Sequence, residues 1–231
     1  LTGYFRQLRA LLLQNLKVEW SNAERWLSPL LFALTLLILF SFAVGRLEGD
    51  TAVKILIAET LLTAMFALQL SLSRVLEPDG EDRVFELLRT YPLAPTAWFL
   101  SKYLLVLLMG GLILLPTLLL SSFLHAESGL SLWSGPIVAV VMLVMASLGS
   151  LGVLLSTMTM RSGAKQILYP ILYFPLTTPV LLAAVESCNA IMLNQESLAD
   201  LMKSWLGLLL IFGIIYLTLG LVLFGELIKP E

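Results

Sequence analysis

Charge is scarce in this sequence. Asp, Glu, Lys and Arg make up 13% of its 231 residues, about half of the roughly 25% carried by an ordinary soluble domain. A chain of this size folded in water has a surface to wet, and this one lacks the charge to do it. Cysteine occurs once, as Cys188, which excludes an intrachain disulfide and any Cys-x-x-Cys pair for a metal or for covalent haem. Histidine also occurs once, as His125. With no second histidine, no Ser–His device and no paired intramembrane carboxylates, an intramembrane protease is disfavoured. The acidic spacing of a calcium-binding loop is missing. So is a phosphate-binding Gly-x-x-x-x-Gly-Lys-Ser/Thr loop. The nearest string, Ser162-Gly163-Ala164-Lys165, lacks the first glycine, so any ATP must be hydrolysed by another chain.

What the sequence has instead is apolar length. Hydrophobic residues make up 58% of the chain. Trp26–Gly45, Tyr103–Leu124, Ser128–Met160, Gln166–Val185 and Ser204–Gly225 carry no formal charge. Each reaches the ~20 residues that a helix needs to cross a bilayer. Thr51–Arg74 is apolar apart from Lys54 and Glu59 and reads as a further span. Soluble enzymes, nucleic-acid binders and disordered linkers are thereby excluded. The reading is an all-α polytopic membrane protein, a single transmembrane domain over 1–231. Its six spans fall at about 26–45, 52–74, 97–124, 134–159, 166–186 and 204–226. No cleavable signal peptide is expected, because the first apolar run is a full span.

Orientation follows from the basic residues, which favour the cytoplasmic loops. With both termini inside, Arg6, Arg9, Lys17, Arg25, Arg74, Arg83, Arg89, Lys102, Arg161, Lys165 and Lys229 are cytoplasmic. Arg46, Lys54 and Lys203 are left outside, a split of 11 to 3 among the 14. All five tryptophans fall at predicted span ends, where indoles prefer to lie.

Between the spans, residues 1–25 place Phe5, Leu8, Leu12 and Leu16 at helical spacing among Arg6, Arg9 and Lys17, which predicts a basic helix in the interface plane. The largest cytoplasmic loop, 75–95, carries the turn Pro78-Asp79-Gly80. Asp79 or Gly80 is placed to cap a short helix with Glu81 and Asp82 in its first turn. Val84, Phe85, Leu87 and Leu88 give that helix an apolar side suited to docking. Outside, residues 186–203 are expected to hold a short external helix. The fifth span contains Pro170, Pro175 and Pro179. Each removes a backbone donor and crowds the preceding turn, so an interrupted or kinked helix buried in the bundle is expected.

Glu59 is the one acidic residue well inside a predicted span, a position that often marks a pathway or gate; it also stands only five residues from Lys54. Pro175 and Pro179 are the other pathway or gating candidates. His125, after the third span, is a candidate haem-iron ligand, set against the plainer reading of a polar loop residue. Small residues at Ala146, Ser147, Gly149, Ser150 and Gly152, and at Gly207, Gly213 and Gly220, allow close helix approach, within one chain or across a dimer seam.

Two segments carry a resemblance. Glu77–Leu104 has an acidic-glycine stretch, a Leu-Leu helix and a Pro-Leu turn before a Lys-containing span start. Leu148–Ser187 has a Gly-rich span, a basic turn and a Leu-Pro-Leu…Pro-Val-Leu fifth span. In these the chain resembles the CcmB family, haem exporter protein B of cytochrome c maturation, and more loosely the ABC-2-type permeases. The resemblance implies an ABC transporter permease subunit in the bacterial inner membrane, itself no enzyme, working as a homodimer with a CcmA-like ATPase. CcmC-like and CcmD-like proteins and the haem chaperone CcmE would be partners. Haem would be a substrate, with no resident cofactor or metal. Residues 75–95 would couple to the ATPase through Asp79, Gly80, Glu81, Asp82, Phe85 and Glu86. Alternatives are the permease of another ABC-2 exporter, for a lipid, polysaccharide or drug, a secondary transporter, or an assembly subunit.

Overall fold

The computed structural model describes residues 2–45, 49–80, 93–125, 132–160 and 164–227. Among them there is no strand, and six helices are long and apolar enough to cross a membrane. After α1 (Thr2–Ser21) these are α2 (Glu24–Val44), α3 (Gly49–Leu72), α5 (Pro95–Leu124), α6 (Gly135–Thr159), α7 (Lys165–Leu193) and α9 (Trp205–Leu227). Single turns α4 (Glu77–Gly80) and α8 (Leu198–Leu201) stand between them. At 1.5 Å per residue, even the 21-residue α2 covers the ~30 Å hydrocarbon layer.

Local chemistry marks several helix ends. Pro95 opens α5 behind an extended Ala94, where its missing N–H costs nothing and its fixed φ suits the first turn. Gly45 closes α2 at φ +69°, a conformation that glycine adopts without Cβ strain, and its N–H reaches the Ser41 carbonyl at 3.3 Å.

The bundle is built around α6, which packs against α3, α5, α7 and α9. In its most apolar stretch 72% of residues are buried, against 17% for α2 and 22% for α9. Those two therefore form the lipid-facing perimeter. The small residues explain how α6 can be so enclosed. A Cβ at Gly152 would come within 2.6 Å of Leu72, and one at Gly213 on α9 within 2.7 Å of the Ser147 hydroxyl. Glycine thus serves packing inside the chain at these positions. At the far side of the core, Ala33, Ala67 and Ile113 bring α2 against α3 and α5.

Two expectations are corrected. The fifth span runs through all three prolines as one helix and on to Leu193. Its buried stripe, Tyr169, Tyr173, Thr177, Val180, Ala184 and Cys188, recurs every three or four residues. Pro175 lies on the opposite, exposed face, and Pro170 and Pro179 are half-buried. Hydroxyls support the backbone there: Thr177 and Thr178 each donate to the Phe174 carbonyl at 3.0 Å. From α9, Tyr216 donates to the Leu176 carbonyl at 2.7 Å, in the turn that Pro179 crowds. The external helix shrinks accordingly, because 186–193 belong to α7. What remains is α8, capped by Ser197, whose Oγ accepts from Asp200 N–H at 3.3 Å. Asp79 and Gly80 lie within the α4 turn, and the helix they were expected to cap, from Glu81 onward, lies outside the described residues.

Candidate functional site

At the end of the bundle where α1 packs, four elements meet: α1, the start of α2, the end of α3 and the start of α5. The inward side of α1 runs through Leu11 and Glu19, with Leu12 and Leu16 packed against the core beside them, while Phe5 points outward at 62% exposure. Two polar contacts fix α1 on α5. Asn15 Nδ2 donates to Ser101 Oγ at 3.3 Å, and the Ala94 N–H donates to Gln7 Oε1 at 3.4 Å. A two-residue turn at Asn22-Ala23 then enters α2, with the Trp20 and Trp26 rings stacked 5.9 Å apart.

Glu19 is buried, 3.8 Å from Arg25 Nη1. Its carboxyl is pushed above the ordinary carboxylate value, chiefly by burial. The positive charges of Arg25 and Lys102 work against that shift, and Glu77 adds to it. Lys102 is itself buried, and its Nζ donates to the Val75 carbonyl at 3.5 Å. The two ends of the 75–95 segment are therefore both tied down, one at Val75 through Lys102 and the other at Ala94 through Gln7. A small cavity lies beside this junction, lined by Glu19, Arg25, Trp26, Ser71, Arg74 and Val75, with Leu105, Val106 and Met109 beneath. The arrangement holds no nucleophile–base pair. It joins α1, α2, α3 and α5 at one buried polar junction.

At the opposite end, the two residues singled out separately in the sequence come together. Glu59 on α3 is buried, and its Oε1 lies 3.4 Å from His125 Nε2 at the end of α5. His125 Nδ1 lies 3.1 Å from the Ser121 carbonyl. The hydroxyls of Thr60 and Ser121 are 2.6 Å apart one turn deeper. Both ring nitrogens thus face protein oxygens, and an iron atom would have to displace one of them. Pro175 and Pro179 do not join this cluster; they sit on α7, as described above.

Of the expected coupling residues, Asp79 and Gly80 fall on α4, and Glu81, Asp82, Phe85 and Glu86 lie outside the described residues. Sequence reasoning missed Glu19 and Lys102 as buried charges. The available signal was their position: Lys102 stands seven residues into a helix opened by Pro95, and Glu19 falls on the α1 face set by Leu8, Leu12 and Leu16. It also missed the stacked pair Tyr169 and Tyr173, 5.5 Å apart and fully buried, whose hydroxyls have no hydrogen-bond partner among the described residues.

A family model described as CcmB protein matches residues 6–226 of the chain. No curated protein matches it.

Proposed function

The chain belongs to the CcmB family, the membrane permease subunits of the haem-export ABC transporter of cytochrome c maturation, and on that premise we propose that ATP hydrolysis by a CcmA-like partner reaches it through residues 75–95. One observation supports this reading above the others. The segment is anchored at both ends, at Val75 by Lys102 and at Ala94 by Gln7, so a push on it is passed to α1, α3 and α5 together. Asp79, Gly80, Glu81, Asp82, Phe85 and Glu86 are its contacts with the ATPase, a set of four carboxylates and one aromatic residue in the sequence.

In this reading the subunit is a homodimer in the bacterial inner membrane with both termini cytoplasmic. It works beside CcmC-like and CcmD-like proteins, and each ATP cycle releases haem or the haem-loaded chaperone CcmE on the far side. Haem is cargo. The posture of His125, with both nitrogens against protein oxygens, favours a structural role for it over ligation. Glu59, paired with His125, and Pro179, beside the carbonyl that Tyr216 holds, are where the bundle yields during the cycle.

Reversing charge at the docking segment tests the proposal. Glu81→Lys with Asp82→Lys should lower recovery of the ATPase in a mild-detergent pull-down by at least tenfold, since like charges brought together across an interface cost more than the ~1.4 kcal/mol that a factor of ten represents. Cytochrome c maturation should fall with it. Undiminished recovery together with normal maturation would remove 75–95 as the coupling segment.

A further inference from the structure

An open cleft of about 630 Å³ lies at the end of the bundle opposite α1, lined by Lys54 on α3, Glu186 and Asn189 on α7, Asn194 and Glu196 just beyond it, and Trp205 at the start of α9. None of the interactions assigned to the α1 junction or to the Glu59–His125 pair involves these residues. Their chemistry is mixed in a definite proportion. Two carboxylates and one ammonium line the same space. Neither Lys54 nor Glu186 has an ion-pair partner among the described residues. Glu196 accepts one hydrogen bond, from Asn194 Nδ2 at 3.2 Å. Asn189 also lines the cleft, though its Oδ1 is buried away from the open space. Trp205 presents its indole at 38% exposure.

A simple anion would meet two carboxylates here, and a simple cation would leave Lys54 opposing it. A zwitterion with its charges a few bonds apart satisfies both. The two carboxylates, at Glu186 and Glu196, call for a positive group that carries N–H donors; a quaternary ammonium has none. Lys54 is then the partner of the negative group. The cleft stands at the ends of three membrane-spanning helices, the level at which an exposed tryptophan and a lysine meet lipid headgroups. We propose that this cleft binds a phosphoethanolamine group, its primary ammonium between Glu186 and Glu196 and over the Trp205 ring, and its phosphodiester on Lys54. The source of that group is a phospholipid of the membrane leaflet at this end. The site stands independently of the ATPase reading.

Native mass spectrometry of the full chain tests it, after release from mixed micelles holding equal amounts of phosphatidylethanolamine, phosphatidylcholine and phosphatidylglycerol. The expected result is retention of the ethanolamine lipid roughly tenfold above the other two, the effect of one charge-assisted hydrogen bond. Glu186→Gln with Glu196→Gln should abolish that preference, and Lys54→Ala should weaken retention of all three lipids. Glu196→Gln alone, in an exposed loop, decides the matter if the double variant is not monodisperse. Soluble glycerophosphoethanolamine separates the sources: displacement of the bound lipid assigns the site to the headgroup alone, and retained lipid assigns it to the membrane molecule. Equal retention of the three lipids by the wild-type chain, or an ethanolamine preference that survives the carboxylate substitutions, would overturn the proposal.

Discussion

A carboxylate held away from water depends on what stands next to it, and for Glu59 that neighbour is His125. Truncating the ring by His125→Ala leaves the buried Glu59 oxygens without that neighbour, with a cost of roughly 1–3 kcal/mol. Glu59→Gln in the same background should recover part of that loss. A double-mutant cycle on thermal unfolding in detergent should therefore give a coupling energy between about 0.5 and 3 kcal/mol; simple additivity would mean the 3.4 Å approach carries no interaction. Both residues were visible in the sequence as isolated oddities, one acid in a span and one histidine after another. Their pairing was not visible, because it depends on how α3 and α5 align, and no local pattern encodes that. Lys102 was hidden for a different reason. A basic residue near a span end is ordinarily solvated, and only the return of the chain at Val75 makes it buried.

Helix by helix, close approach is set by glycine and by large rings. A Cβ at Gly220 on α9 would collide with the Phe99 ring. That ring has no room to give, being fully buried with Phe224 at 5.5 Å and Tyr103 stacked at 6.4 Å. Gly220→Ala should therefore destabilise by about 1–3 kcal/mol through overpacking. Gly111→Ala, where an added methyl meets nothing, should be neutral or stabilising by up to ~1 kcal/mol through helix propensity. Thermal melts of the two variants check this, and equal shifts would show that the α9–α5 contact is loose. The spans themselves were legible because charge-free length is a property of the sequence. The course of α7 was not. Its prolines suggested interruption, yet one helix runs through all three, and Tyr216 from a distant helix supports the backbone beside Pro179. Its charged end at Glu186 suggested a stop, yet the helix carries that residue onward into an open cleft.

At the scale of the whole molecule, the arrangement of charge predicts topology. With 11 of 14 basic residues on one side of the six spans, a fluorescent protein fused behind α9 should glow, and alkaline phosphatase fused there should be inactive. The opposite pattern would invert every assignment of side. The helix α6 is buried among four neighbours, and the lone thiol sits within the same bundle. Cys188 is 2% exposed, on the inward stripe of α7, and the chain has no other cysteine. A maleimide added to the folded protein can react only when α7 parts from its neighbours. The unaltered chain thus carries its own clock, and its labelling rate, with and without a nucleotide-loaded partner, counts how often the bundle opens.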